Sequence, residues 1–337
     1  MSKQKFRISR LLFDVSKIVI IVLVGTICFL NIPHLFEKEA NVEKKSYVVN
    51  ATEKEEPQAK MGTSEENATS SSIDAFLIGN SNLYSGYNAL QLYGDTGILS
   101  YGSAGPRLTM YVSYYMFKEM LTVHKPKVLI LETDNFYEKN ESNDLESAQL
   151  FAYQNMYPVF KDTTRWSEFQ DKSYTKPEGK YDRAALHGLL FSRKKAAYTK
   201  GVYMNQTDER QERNDYNKGY LHQIVNLAKE NNVKVIFLSI PCATSWNYKK
   251  HNAVQDFANE YQIPFLDLNL DADKIQLDWS SDTRDNGQHL NLNGASKVTT
   301  YLGKYLKEEY NLPDCRNNVL FSQWGTDYEN YLKLFKK

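Results

Sequence analysis

From residue 73 onward, short apolar runs alternate with helical patterns, and this alternation restricts the chain to an α/β fold more than any other feature. Ile73 to Ile78 is an apolar run ending at Gly79, and Val128 to Leu131 within KPKVLILETD is a second. Ile98 to Tyr101, Val233 to Ile240 and Pro264 to Leu268 complete five candidate strands. Continuous apolar runs suit strands buried on both faces, as in parallel sheets. Between them, Leu83 to Tyr93 reads as a helix, and Gly105-Pro106 is expected to open another that ends near Val123. Leu221 to Asn231 places Leu221, Ile224, Val225, Leu227 and Ala228 on one helical face, and a further helix is expected over about residues 249 to 261. Asn293 is expected to cap a last helix bearing Val298, Tyr301, Leu302, Tyr305 and Leu306. The expected architecture is a parallel sheet with helices on both faces, and no internal repeat is present.

The region before residue 73 has a different character. Lys3, Lys5, Arg7, Arg10 and Lys17 precede Ile18 to Leu30, an apolar run that Leu11 to Phe13 and Ile32 to Phe36 extend to about 20 residues. Asn31-Ile32-Pro33-His34 is a poor cleavage site, so the segment reads as an uncleaved transmembrane anchor, with a cleaved signal or a buried helix as the alternatives. Positive charge ahead of it predicts a cytoplasmic N-terminus and an extracytoplasmic domain. Residues 37 to 72 are charged, rich in Ser and Thr and almost free of aromatics, which predicts a disordered tether. The expected organisation is therefore an anchor over 1–36, a linker over 37–72, a domain over 73–310 and a C-terminal tail over 311–337, with a helix at Tyr328 to Phe335.

Composition narrows the partners. The chain has 337 residues with 42% apolar side chains, enough for one sizeable core. Its 41 basic and 41 acidic residues balance, which removes any compositional case for nucleic acid. Cys28 lies in the apolar segment, leaving Cys242 and Cys315 as the only pair that could bridge in the outer domain, and no Cys/His spacing indicates a metal. No cofactor is expected.

In a parallel sheet the chemistry gathers at the carboxyl ends of the strands. Ser81, in Gly79-Asn80-Ser81-Asn82, follows the first candidate strand; Gly102 follows the second; Asp134 and Asn135 follow the third. His289 lies in Asp285-Asn286-Gly287-Gln288-His289-Leu290-Asn291-Leu292-Asn293-Gly294, a loop delivering an acid and a histidine just before a helix. A serine hydroxyl is a weak nucleophile until an imidazole takes its proton, and the imidazole needs an orienting carboxylate. Each residue also has an ordinary reading: Ser81 as a helix N-cap, Asn80, Asn82 and Asn135 as turn or capping residues, Gly102 as a turn glycine, His289 as a loop histidine, Asp285 as a solvated turn acid. The other histidines, His34, His124, His187, His222 and His251, have no comparable setting.

The segments IGNSN, SYGSAG, LETDN and DNGQHLNLNGASKVT, in this order, resemble the SGNH/GDSL hydrolase superfamily. Within it they are most similar to the membrane-anchored cell-envelope branch associated with membrane-bound O-acyltransferases, which also resembles the family acting in D-alanylation of teichoic acids. The resemblance spans about residues 73 to 310 and implies a three-layer flavodoxin-like sheet. It implies Ser81 as nucleophile, with Asn80 where Asp is usual, and His289 as the catalytic base. The family's acid stands three residues before the histidine, a position held here by Asn286, while Asp285 lies four before; either could orient His289. Gly102 matches the glycine that lends its backbone N–H to an oxyanion hole, and Asn135 could supply an amide donor from a degraded third block.

About residues 137 to 215 form an insertion between the third strand and the next helix, rich in aromatic and basic residues such as Phe151, Tyr153, Tyr157, Phe160, Trp166, Tyr181, Arg183, Arg193, Lys194 and Lys195. It reads as a cap that binds a glycan or as a small helical subdomain. Trp246 follows Ile240-Pro241-Cys242 at a strand's carboxyl end and is a candidate for the cleft, with Asn80, Asn82 and Asn286. The resulting expectation is O-acyl transfer, acetyl above all, on a cell-envelope glycan or teichoic acid, the acyl group coming from a multi-spanning membrane O-acyltransferase. A carbohydrate acetyl esterase and a non-catalytic glycan- or partner-binding protein are the alternatives.

Overall fold

The computed structural model describes residues 73–138, 186–190, 192–213 and 215–334. The expected anchor, the linker and most of the expected cap, including its aromatics from Phe151 to Tyr181, lie outside these residues. No helix among the described residues is long and apolar enough to cross a membrane.

Among the described residues, five strands form one parallel sheet: β1 (Ala75–Gly79), β2 (Ser100–Ala104), β3 (Val128–Glu132), β4 (Lys234–Ser239) and β5 (Phe265–Asp267). Their spatial order is β2-β1-β3-β4-β5, the flavodoxin-like arrangement. In register, Leu77 faces Gly102 on one side and Ile130 on the other. β1 and β3 are buried along their whole length, which explains their unbroken apolar sequences.

The helices divide between the two faces. α1 (Ser81–Gly86) and α2 (Ala89–Thr96) follow β1, α3 (Met110–Val123) follows β2, α4 (Asp215–Glu230) precedes β4, and α5 (Tyr248–Tyr261) precedes β5. α6 (Leu292–Tyr310) and α7 (Ser322–Lys333) close the chain. α6 packs on α1 and α2, α7 packs on α2, and α3 packs on α4. Alternation along the strands separates the layers: Ala75, Leu77, Val128, Ile130, Ile236 and Leu238 join Leu83, Leu92, Val298, Leu302 and Leu306 in one core. Phe237, pointing the other way, meets Phe136 and Phe257 of α5.

Several element boundaries differ from expectation for local reasons. The helix expected over 83–93 is two helices, because Asn88 leaves the helical path and its side chain caps α2 by accepting from Gln91 N. Gly105-Pro106 does not open α3; Arg107 has a left-handed φ of 52° and Thr109 takes the N-cap position. The cap of α6 is Asn291, whose side chain accepts from the N–H groups of Asn293 and Gly294, so Asn293 is inside the helix. Residues after 310 pack onto the body: Tyr331 of α7 is buried beside Leu90, Leu189 and Leu292, and its hydroxyl accepts from Asn88 Nδ2 at 2.6 Å. Cys242 and Cys315 are both free and buried, so the pairing left open by the sequence does not form.

Candidate active site

In the order β2-β1-β3-β4-β5 the connection direction reverses between β1 and β3, and a crevice opens outside the carboxyl ends of the strands at such a point. Ser81 follows β1 directly as the first residue of α1. The turn between them is tight. A Cβ on Gly79 would lie 2.5 Å from Glu132 Cβ and 2.7 Å from Leu83 Cβ, so only glycine fits there. Asn80 caps the helix by accepting from Asn82 N at 2.9 Å, which fixes the turn on both sides of Ser81.

The second segment arrives from the far end of the domain. Thr283 and Leu290 form an antiparallel bridge, and Arg284 N donates to His289 O at 3.1 Å, closing a short loop over residues 284–289. Asn286 and Gly287 reverse the chain with φ of 59° and 92°. Ala243 N, beyond β4, donates to Gly287 O at 2.8 Å, and Tyr198 packs against Gly287 closely enough to exclude a Cβ. The loop is thus held from three sides.

These elements bring Ser81, His289 and Asp285 into one hydrogen-bonded series. Ser81 Oγ lies 2.8 Å from His289 Nε2 across 208 residues of sequence. His289 Nδ1 lies 2.6 Å from Asp285 Oδ2, and His289 N donates to Asp285 Oδ1 at 2.6 Å. Burial opposes charge on Asp285, but the side-chain and backbone hydrogen bonds from His289, with the nearby Arg284 cation, hold its carboxyl below the ordinary value. A carboxylate that stays ionised, an imidazole and a serine hydroxyl in this order can deprotonate the hydroxyl as it attacks a carbonyl. The choice between the two candidate orienting residues follows from the geometry: Asp285 faces His289, whereas Asn286 forms the turn and donates its N–H to Ala196 O at 3.1 Å.

Other expected site residues are elsewhere. Gly102 sits in the middle of β2, and its N–H donates to His187 O at 3.2 Å on the sheet edge, so it is not an oxyanion donor. Gly105 is the glycine of this segment that reaches the carboxyl edge, its N–H facing Gly79 O at 3.4 Å. Asn135 is fully buried and donates Nδ2 to Ser113 Oγ at 3.1 Å, on the α3 side of the sheet. Trp246 is 3% exposed and donates Nε1 to Asp267 Oδ2 at 3.0 Å, so it supports β5 and does not line an open cleft. Asn80 and Asn82 are likewise buried beneath the turn. The backbone donor nearest the nucleophile in sequence is the Ser81 N–H, which opens α1 and so has no intrahelical acceptor.

Sequence reasoning missed a polar cluster beside this turn. Asp134 Oδ2 accepts from Asn82 Nδ2 at 3.1 Å and from Ser245 Oγ at 2.7 Å, while Oδ1 accepts from Lys250 Nζ at 2.7 Å. Below it, Glu132 is fully buried and accepts from Asp134 N at 3.1 Å; burial, then the charge of Asp134, raises its carboxyl well above the ordinary value. One signal was available. Lys250 lies on the inward stripe of α5 with Ala253, Val254, Phe257 and Ala258, the helical spacing of a buried face.

Among solved structures the chain is similar to a GDSL-like lipase from Bacteroides thetaiotaomicron VPI-5482, at 13% identity and TM-score 0.35 over 71% of this chain and 89% of that one. A psychrotrophic esterase from Pseudoalteromonas sp. matches at 10% identity and TM-score 0.38, over 71% and 99%. A lipase/acylhydrolase from Enterococcus faecalis matches at 11% and 0.31, over 72% and 98%. No protein-family model matches the chain, and no curated protein does. The first of these structures is of the GDSL type that the sequence motifs resemble, but at these TM-scores the chemistry rests on the distances above.

Proposed function

We propose that the chain is a serine-dependent acyl-transfer enzyme, anchored by its N-terminal segment, that moves an acyl group, acetyl above all, onto a cell-envelope glycan or teichoic acid. The observation that carries the acyl chemistry is the series Ser81 Oγ to His289 Nε2 at 2.8 Å and His289 Nδ1 to Asp285 Oδ2 at 2.6 Å. Ser81 Oγ attacks the acyl carbonyl while His289 Nε2 takes its proton, and Asp285 stabilises the imidazolium. The tetrahedral oxyanion meets the Ser81 N–H at the start of α1, a kind of contact worth about 3 kcal/mol in studied hydrolases. His289 returns the proton to the leaving group, leaving an ester on Ser81. A sugar hydroxyl then attacks that ester, giving its proton to His289, and Ser81 regains its own.

Transfer over hydrolysis, the glycan acceptor and the membrane setting rest on the motif resemblance and on the charged and apolar pattern before residue 37. An acyl donor on the far side of a membrane would reach Ser81 through a multi-spanning O-acyltransferase partner. The test uses the full chain in detergent with p-nitrophenyl acetate as donor and a short N-acetylglucosamine oligomer as acceptor. The proposal expects acetyl-oligomer to rise with acceptor concentration and to vanish in Ser81→Ala. Acetate released at a rate indifferent to the acceptor would assign hydrolysis, and no turnover by a folded chain would favour a binding role.

A further inference from the structure

We propose that Lys250 is a positioning residue for Ser81, acting through Asp134 and Asn82; the inference rests on the acyl-transfer reading of the site. Asn82 follows the nucleophile and is held at two points. Its backbone N–H donates to Asn80 Oδ1 at 2.9 Å, and its side-chain Nδ2 donates to Asp134 Oδ2 at 3.1 Å. The first bond is local and belongs to the helix cap. The second ties the first turn of α1 to the short helical turn Thr133–Tyr137 that follows β3, the strand adjacent to β1.

Asp134 can serve as that tie because its carboxylate is itself fixed. Ser245 Oγ donates to Oδ2 at 2.7 Å, and Lys250 Nζ donates to Oδ1 at 2.7 Å. Lys250 is 8% exposed, an unusual setting for an ammonium group, which a buried partner must compensate. Its Nζ lies 4.8 Å from the Tyr137 ring centre and 5.8 Å from that of Trp246, and the Tyr137 hydroxyl donates to Lys250 O at 3.1 Å. The cation is therefore confined by two aromatic rings and one carboxylate. A path of two hydrogen bonds runs from Lys250 to the residue next to Ser81, and it crosses from α5 to α1 over the carboxyl edge of the sheet.

Without the ammonium group, the Asp134 carboxylate would be a buried charge lacking its strongest donor, free to turn toward solvent or other N–H groups. Asn82 would then lose its second anchor, and the Ser81 hydroxyl would sample positions away from His289 Nε2. Small displacements of this kind are costly in rate because the reacting atoms must meet in a narrow range of geometry. Since the network touches neither acyl group nor acceptor, its loss lowers kcat and leaves KM in place.

The experiment measures the second-order rate of fluorophosphonate labelling of the full chain in detergent, with kcat and KM for p-nitrophenyl acetate, in wild type, Lys250→Met and the double variant Lys250→Met/Asp134→Leu. The double variant removes both charges and keeps an apolar filling, so it is spared the uncompensated buried carboxylate that burdens the fold of the single variant. Positioning predicts that both variants label at least about tenfold more slowly than wild type, with KM unchanged within about twofold. A role in folding alone predicts that the double variant recovers the wild-type rate, and that result would overturn the proposal. A wild type that takes no label overturns the triad reading and this inference with it; a wild type that labels while the folded variants keep pace overturns the inference alone.

Discussion

Asp285 engages His289 through both carboxylate oxygens, Oδ1 accepting the backbone N–H and Oδ2 facing ring Nδ1, each at 2.6 Å. The double contact fixes loop and ring together. With its Nδ1 proton directed at Oδ2, the imidazole presents the Nε2 lone pair to Ser81 Oγ at 2.8 Å. Asn286, the first of the three residues between Asp285 and His289, contributes conformation rather than charge, at φ 59°.

Asp285→Asn is expected to keep the fold and lower acyl turnover by about 10³- to 10⁴-fold, since an amide can stabilise the wrong ring tautomer and cannot support the imidazolium. Asn286→Gly suits the left-handed backbone and should retain turnover within about twofold. Steady-state rates on p-nitrophenyl acetate separate the two; equal losses would contradict the assignment of Asp285.

Gly79→Ala places a methyl group 2.5 Å from Glu132 Cβ, where a strand and the nucleophile turn meet. Stability should fall by about 1–3 kcal/mol, the usual cost of overpacking, measured as a shift in denaturant midpoint. Displacing the turn moves Ser81, so labelling of the folded variant should slow as well.

Gly102→Ala gives the opposite expectation. The added Cβ meets Tyr87 Cδ1 at an ordinary 3.6 Å, and the Gly102 N–H is already donated to His187 O. Stability should change by less than about 1 kcal/mol and kcat by less than about twofold. A loss of 100-fold in kcat would return this glycine to the oxyanion hole.

Glu132 gives the stability of the domain a pH dependence of known sign. Burial, then the charge of Asp134, raises its carboxyl above the ordinary 4.5, so the folded state holds a proton that the unfolded state has released. Its contribution is complete below that ordinary value and is lost as pH rises toward the folded one, with a slope of up to about 1.4 kcal/mol per pH unit. Glu132→Gln removes the group, so its advantage over wild type should grow as pH rises above 4.5 in chemical denaturation. Parallel profiles for the two proteins would contradict this.

The sequence made the sheet legible where local pattern and burial agree. The unbroken apolar runs at Ala75–Gly79 and Val128–Glu132 are the two strands buried along their whole length, and Ser81 and His289 followed from their places beside a strand end and a helix start. Gly102 was misread because its role depends on register: pairing with Leu77 puts it mid-strand, which no local pattern reveals. Asn135 and Trp246 were misread because both spend their donors on distant partners, Ser113 and Asp267. The Lys250–Asp134 pair spans 116 residues, and a lysine in a helix reads as surface until its neighbours at helical spacing are seen to be the apolar ones. Docking of α7 by Tyr331 was equally non-local, set by Asn88 at the far end of the chain.

The most direct test of the central claim is fluorophosphonate labelling of the full chain followed by peptide mapping, with Ser81→Ala and His289→Ala alongside wild type. An activated nucleophile predicts one phosphonylated peptide, carrying the adduct on Ser81, absent from the first variant and slowed by at least about 10³-fold in the second. A folded wild type that takes no label, or one labelled equally well after loss of His289, would contradict it.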